Sequence, residues 1–571
     1  MCGLYAVLDP RGVDVETLHT AAGFLHHRGP DQRGVWRGGP VGLAHTRLAL
    51  QGGPQARQPV QRGDRVGITN GELYNHAELG DGADSAVLVG LLRDGPEALH
   101  RARGAFAAIT WDGDTLLAVR DRFGIKPLYW SWDDGRLVLA SEPHLAVQGP
   151  ARWDAGAVAA MFTHQYLLPD QTVFAGVHAL EPGTFLRARP GEPPTLGRWW
   201  SWVPERPPEP VDVEGVLTAA VHARATADQP VAVQLSGGID SALVAAMAAD
   251  VGVETAYTFR FVGPSDWDEA DRASEIAQHL GLRHVVVEAD AAALLDDLDA
   301  AVVASGGPVI NTHAAAKWQL VRRVWQDGHA VLLTGEGADE LFWGYAHLLA
   351  EARACRDASP ATPGVHLPHG DSLRTAAISA PWGSVPTFLR AKASLGHRLR
   401  RVSSGLPAPS FAPLLAALGV PPQGHPASRA AWAWARLCLA GSILQRLTDP
   451  LEGAWGVEGR LPFLDVTVAE AAARLPPAAR VGPDGLGKAP LRAIAARRLP
   501  AGVATRVKHP FMGPPLPREL LRPRLLDGPV LPFVDRAAVE QALAADTHAV
   551  AWDPVWVLLL SCQALAEAHG L

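Results

Sequence analysis

Residues 233–245 read VQLSGGIDSALVA. An apolar run closes on Ser-Gly-Gly, and a run of small and apolar residues opens at Asp240 and Ser241, which spells strand, tight loop and helix. Glycines let a backbone approach a ligand closely, and the first amides of a helix present a positive pole to phosphate. The spacing is neither the GxxxxGK[ST] of a Walker loop nor the GxGxxG of a dinucleotide fingerprint. A plain glycine turn ahead of a core helix is the alternative reading. Around it, PVAVQL, TAYTFRF, HVVVEA and HAVLLTG carry strand patterns, alternating with the helix patterns DSALVAAMAAD, DEADRASEIAQHLG and DELFWGYAHLL. That rhythm predicts a parallel sheet covered by helices on both faces.

Upstream the grammar differs. Short apolar segments are separated by Gly, Asp and Pro, and the Asp-Gly punctuation of WDGDTLLAV and WDDGRLVLA turns hairpins, so this half reads as antiparallel sheet with some helix. The Pro-rich ERPPEP of 205–210 is the joint. Two domains are expected, 1–204 and 211–571. Residues 355–430, rich in Ala, Pro, Arg and Ser, read as helices with loops and show no clear period.

The bulk properties narrow the class. A chain of 571 residues exceeds the roughly 250–300 at which one core stops growing. A formal charge of -8 gives no general attraction to nucleic acid or to acidic membranes. Cys2, Cys355, Cys438 and Cys562 lie far apart, without CxxC pairs or disulfide density, which fits a reducing cytoplasm. No basic, apolar leader opens the chain, and VWVLLLSCQAL is too short to span a membrane and reads as a buried helix.

Two further features carry chemistry. In LLTGEGADELFWGY, Glu336, Asp339 and Glu340 stand at a helix start, where acidic residues are usually dipole partners. Their place at the carboxyl end of a parallel strand, where open α/β sheets bind ligands, favours a catalytic role. The other feature is Cys2. A small second residue lets the initiator methionine be trimmed, leaving a thiol of reference pKa about 8.5 beside an α-amine of about 7.7–8.0 that can deprotonate it.

HHRGPDQRG, AHTRLAL, TNGELYN, GADSAVL and RDRFGIKPLYW, in that order, resemble the class II glutamine amidotransferases. SGGIDS resembles the pyrophosphate-loop enzymes that cleave ATP between the α and β phosphates. With GEGADE, VEGRLPFLD and KAPLR following, the whole chain resembles the glutamine-hydrolysing asparagine synthetases of the bacterial B type. The resemblance implies a mixed α/β and α+β fold: an αββα N-terminal-nucleophile (Ntn) hydrolase sandwich, then a parallel-sheet adenine-nucleotide α-hydrolase-like domain. It implies ATP and Mg²⁺, small-molecule substrates (glutamine, ATP and a carboxylic acid such as aspartate), and no nucleic-acid or membrane partner; a homodimer is compatible with it. By the same resemblance Cys2 is the nucleophile, with Asn70 and the Gly71 amide as oxyanion hole. Arg47, with the backbone of Leu48, Ala49, Leu50 and Gln51, grips the glutamine carboxylate, and Glu72 and Asp84 hold its α-amino group. Leu235, Thr334 and Gly335 line the nucleotide pocket, and the loop from Ser236 through Gly237 and Gly238 to Ser241 holds pyrophosphate, with its Asp240 acting through Mg²⁺ because a carboxylate repels bare phosphate. Asp240 and Asp339 bind Mg²⁺, Lys488 and Lys508 contact ATP, Lys508 stabilises developing charge, and Glu336 is the base for the attacking ammonia.

The pattern departs from the family in places. The run from the NGE motif to Asp84 is short. The usual DRxSMAxxxExRxPFLD appears as DPLEGAWGVEGRLPFLD, keeping Asp449, Glu458 and Arg460, while GPVINTHAAAK replaces a stretch with proline and tyrosine, and Trp343 stands for a common glycine. These synthetase-side changes leave the acceptor open between aspartate and another carboxylic acid. An intramolecular amide-forming cyclase is the remaining alternative, and an intact Cys2 set argues against it.

Overall fold

The computed structural model describes residues 1–263, 268–354, 386–407, 410–507, 511, 513–545 and 549–571. Lys508, Cys355 and a large part of the 355–430 stretch lie outside the described residues.

The first half folds as two antiparallel six-stranded sheets. One has the order β10-β8-β9-β1-β3-β2, built from β1 (Cys2–Leu8), β2 (Gln32–Gly38), β3 (Val41–Arg47), β8 (Tyr129–Asp133), β9 (Arg136–Ala140) and β10 (Val177–Ala179). The other has the order β12-β11-β7-β6-β5-β4, from β4 (Val60–Arg62), β5 (Arg65–Leu73), β6 (Gly104–Trp111), β7 (Leu116–Arg120), β11 (Thr184–Ala188) and β12 (Thr195–Arg198). Alternation along β1 explains the layering. Leu4, Ala6 and Leu8 join Ile68, Ile109 and Leu139 between the sheets, while Tyr5 and Val7 face helices Val15–Phe24 and Ala155–His164 on the outside. The outer face of the second sheet, with Phe106 and Val119, is covered by helix Asp84–Leu91. The expected αββα sandwich is present. Each fully buried leucine contributes about 1.5–3 kcal/mol, so Cys2 opens a strand anchored on both faces. Asp134 and Gly135, with φ of 44° and 78°, form the type I′ turn between β8 and β9 that the Asp-Gly signal predicts.

The second half holds a five-stranded, all-parallel sheet of order β15-β14-β13-β16-β17, from β13 (Val231–Gln234), β14 (Thr255–Phe261), β15 (Arg283–Ala289), β16 (Val331–Leu333) and β17 (Glu458–Arg460). Helices Val213–Ala225, Ile239–Ala249 and Ala489–Arg498 pack on one face and His313–Gln326 on the other. Chain order reverses between β13 and β16, which opens a crevice at their carboxyl ends. The loop of 235–241 and the loop that begins at Thr334 both end there.

DELFWGYAHLL, expected as one helix, is two: Ala338–Phe342 and Ala346–Ala354. Trp343 interrupts them in the left-handed region at φ 57°, ψ 52°. A Cβ on the next residue, Gly344, would lie 1.9 Å from Asp339 Oδ1 and 2.0 Å from Lys488 Cε, so the chain bends there and brings a glycine past the Asp339–Lys488 contact. VWVLLLSCQAL is buried within helix Ala549–His569, and no helix among the described residues is long and apolar enough to cross a membrane. The ERPPEP joint is pinned: Arg206 N–H donates to Ala473 O at 2.8 Å, and Glu205 Oε2 accepts from His425 N–H at 2.9 Å.

Candidate active site

Cys2 begins β1, and β3 runs antiparallel beside it with Arg47 opposite. The Cys2 backbone N–H donates to Asn70 Oδ1 at 2.8 Å. Asn70 is fully buried on β5, and its Nδ2 has no hydrogen-bond partner among the described residues. A buried donor left open costs about 1–3 kcal/mol, so such a group beside a thiol marks a place where a ligand oxygen belongs. Gly71 follows at φ 117°, and a Cβ there would lie 1.9 Å from Ala105 O. Only glycine fits there. Burial pushes the Cys2 thiol up, against the lowering effect of the terminal amine and the Leu48 amide, so a nearby base is needed to form the thiolate.

Around this centre Arg47 is held by Gln32 Oε1 at 3.2 Å and by Gln51 O at 2.7 Å. Asp84 Oδ2 accepts from Leu73 N–H and Oδ1 from Ser85 N–H, at 3.3 and 2.6 Å. Burial, reinforced by Asp84, pushes the Glu72 carboxyl up to about 8, even though Arg460 Nη2 lies 3.2 Å from it. Burial also pushes the Asp84 carboxyl up, against the Ser85 and Leu73 amides, and two such acids suit an ammonium between them.

In the parallel sheet, Gly237 takes φ 74°, where a Cβ would lie 2.8 Å from Glu269 O. Ser241 Oγ accepts from Ser236 N–H at 3.0 Å and folds the loop over the start of helix Ile239–Ala249. Lys488 Nζ lies 2.5 Å from both Asp240 Oδ2 and Asp339 Oδ1. Arg506 donates to Gly237 O at 3.1 Å and pairs with Glu269 at 2.7 Å. Glu336 Oε2 and Thr334 Oγ1 are buried without hydrogen-bond partners among the described residues. Burial pushes the neighbouring Glu340 up to about 7, with Tyr345 OH and Trp434 Nε1 each donating to Oε1 at 3.0 Å.

A buried ionic network joins the two halves. Arg28 Nε donates to Cys2 O at 3.1 Å, and its Nη2 pairs with Asp449. Lys126 Nζ lies 3.6 Å from Asp449 Oδ2 and 3.5 Å from Glu458 Oε2. Glu458 also meets Arg460 Nε at 2.8 Å and the Met1 amine at 3.4 Å. Burial pushes Glu458 up, but Lys126, the Met1 amine and Arg460 outweigh it and hold it well below the usual carboxylate range. Glu458 and Asp449 in turn raise Lys126 against the effect of its burial.

Known proteins share both halves of this arrangement. A family model described as asparagine synthase matches residues 212–567, and one described as glutamine amidotransferase domain matches residues 1–200. The chain belongs to the asparagine synthase family. It is 32% identical over 382 residues to amidase chry2 of Gibberella zeae, covering 59% of this chain and 56% of that protein. It is likewise 32% identical over 435 residues to amidase chyE of Penicillium rubens, covering 66% and 64%. The chain therefore spans less than two thirds of the length of those two relatives. A putative glutamine-hydrolysing asparagine synthetase of Mycobacterium bovis is 29% identical over 560 residues, covering 84% and 83%.

The fold of this asparagine synthase family member brings the sequence-selected residues into two groups. Cys2, Arg47, Asn70, Gly71, Glu72 and Asp84 surround one centre, and Ser236, Asp240, Glu336, Asp339 and Lys488 stand at the sheet crevice. Leu235 and Gly335 lie at the strand ends beneath the second group. Sequence reasoning missed Arg28 and Lys126 as partners of Asp449 and Glu458. Their signal was present in HHRGP and FGIKPLYW, but isolated basic residues gain meaning only from neighbours brought in by folding.

Proposed function

We propose that this chain is an ATP-dependent amidotransferase, with a glutaminase domain (1–204) and a synthetase domain (211–571). It takes nitrogen from glutamine and transfers it to a carboxylic acid activated as an acyl-adenylate, with L-aspartate as the first acceptor to test. The observation that carries the reading is Arg460. It stands on β17, beside the strand that leads to Glu336, and reaches Glu72 of the glutamine pocket at 3.2 Å.

Removal of Met1 frees the Cys2 amine, which takes the thiol proton. The thiolate attacks the glutamine amide carbon, and the oxyanion is met by Asn70 Nδ2 and the Gly71 amide, a device in which one lost donor costs about 2.7–4 kcal/mol. The amine returns the proton to the leaving nitrogen. Ammonia departs, and water clears the thioester to glutamate. Arg47 binds the substrate carboxylate, and Glu72 with Asp84 binds its ammonium.

At the crevice the acceptor carboxylate attacks the α-phosphate of ATP, and the loop Ser236–Ser241 with Lys488 holds the leaving pyrophosphate; Lys508 joins by resemblance alone. Two carboxylates converging on one ammonium at 2.5 Å fit Mg²⁺, which takes one or two carboxylates and completes its shell with phosphate and water. Asp240 and Asp339 would hold Mg²⁺, which would supply neutralising charge to the pyrophosphate. Glu336, whose buried Oε2 has no hydrogen-bond partner among the described residues, accepts the proton as ammonia attacks the acyl-adenylate.

A different acceptor acid is the second reading, favoured by the amidase names of two relatives. Purified protein given Mg-ATP, glutamine and a panel of acids distinguishes the two by product mass. Formation of ADP in place of AMP and pyrophosphate contradicts both.

A further inference from the structure

The two stretches that depart furthest from the family's usual run meet in the fold. GPVINTHAAAK ends at Lys317 on helix His313–Gln326, and DPLEGAWGVEGR places Glu452 on helix Asp449–Gly453, at the position of the serine in DRxSMA. Lys317 Nζ lies 2.9 Å from Glu452 Oε1 and donates to Gln234 Oε1 at 2.7 Å. Gln234 is the last residue of β13, immediately before the nucleotide loop.

Glu452 is fully buried, whereas the Lys317 side chain keeps 10% of its exposure. The carboxylate has been given space: a Cβ on Gly459 would lie 1.9 Å from Glu452 Oε2. Burial pushes the Glu452 carboxyl up, Lys317 opposes this, and the Glu336 charge adds to it. A buried ion pair is a poor stability device, because desolvation offsets its attraction. A serine at 452 would avoid that cost, so the pair calls for a role beyond holding the fold.

Its place indicates the role. The polyphosphate flank of β13 already has Lys488 and Arg506. Lys317 meets Gln234 and Glu452 instead. An ammonium has three N–H donors; Gln234 Oε1 takes one of Lys317's, and Glu452 pairs with it by charge.

We propose that Lys317 is a specificity-determining residue that binds the non-reacting anionic group of the acceptor acid, with Glu452 as its positioning residue. The acceptor class is then an acid with a second anionic group, read by a lysine and glutamate that replace the family's usual residues. This rests on the proposed acyl-adenylate chemistry.

The test measures acid-dependent AMP and pyrophosphate formation with diacids and with monoacids of matched length, in the wild type and in Lys317→Met, Lys317→Arg and Glu452→Ser, each checked for an unchanged melting temperature. Loss of one charge-assisted hydrogen bond should raise the KM for the diacid in Lys317→Met by roughly 10- to 100-fold. The KM for ATP should move less than about twofold, and the preference should shift toward the monoacid. Lys317→Arg should recover part of the diacid KM, and Glu452→Ser should raise it less than Lys317→Met. An unchanged diacid KM in Lys317→Met, or a rise in the ATP KM alone, overturns this proposal and leaves the amidotransferase reading standing. No AMP with any acid in the wild type overturns both.

Discussion

Asn70→Asp separates the two jobs of one side chain. In the wild type, Oδ1 accepts the Cys2 N–H at 2.8 Å, and Nδ2 has no partner among the described residues. Aspartate keeps the shape and the acceptor but puts an oxygen where the NH₂ stood, so the fold and the Cys2 contact survive while the oxyanion donor is lost. Removing such a donor costs about 2.7–4 kcal/mol, a factor of roughly 10²–10³ in turnover. A carboxylate facing the developing oxyanion adds repulsion, so the loss lies at or beyond the upper end. Pyrophosphate release is measured twice, with saturating glutamine and with ammonium chloride, which bypasses the first site. The expected result is a glutamine-dependent rate down at least about a hundredfold and an ammonia-dependent rate within about twofold of wild type. A glutamine rate within about threefold of wild type, or equal loss of both rates, would refute the oxyanion assignment.

Two further outcomes follow from the buried charges. Glu72 is pushed up to about 8. Its native form therefore favours the proton: the contribution to stability is full below the unfolded carboxyl value near 4.5 and is lost as pH rises through 8. An ammonium needs the ionised form, so kcat/KM for glutamine should rise toward pH 8 and level off above it, and Glu72→Gln should flatten that rise; a profile unchanged by the substitution counts against the role. Arg28→Met leaves Asp449, which is 1% exposed, with Lys126 at 3.6 Å as its remaining charge partner, and should lower stability by up to about 3–5 kcal/mol in urea titrations. A loss under about 1 kcal/mol would mean that Lys126 alone compensates Asp449.

The legible part of the molecule was the part written in local pattern. Alternation in β1 and β6, the Asp-Gly hairpin at Asp134 and the βαβ rhythm after the joint each follow from residues close in sequence. β17 has only three residues, Glu458–Arg460, with no strand run to announce it, yet it carries the cross-half contact to Glu72. The break at Trp343 was hidden because a bulky residue in the left-handed region is held there by tertiary contacts with His425 and Arg480, 5.1 and 4.9 Å away. The Lys317–Glu452 pair joins positions 135 residues apart, and no local spacing encodes it.

The central claim is that nitrogen freed at Cys2 reaches the acyl-adenylate inside one molecule. The most direct measurement supplies glutamine carrying ¹⁵N in its amide together with excess unlabelled ammonium, and reads the isotope in the amide product by mass. Retention of the ¹⁵N label against that excess is the expected result. A product whose label matches the bulk ammonia pool would contradict the account.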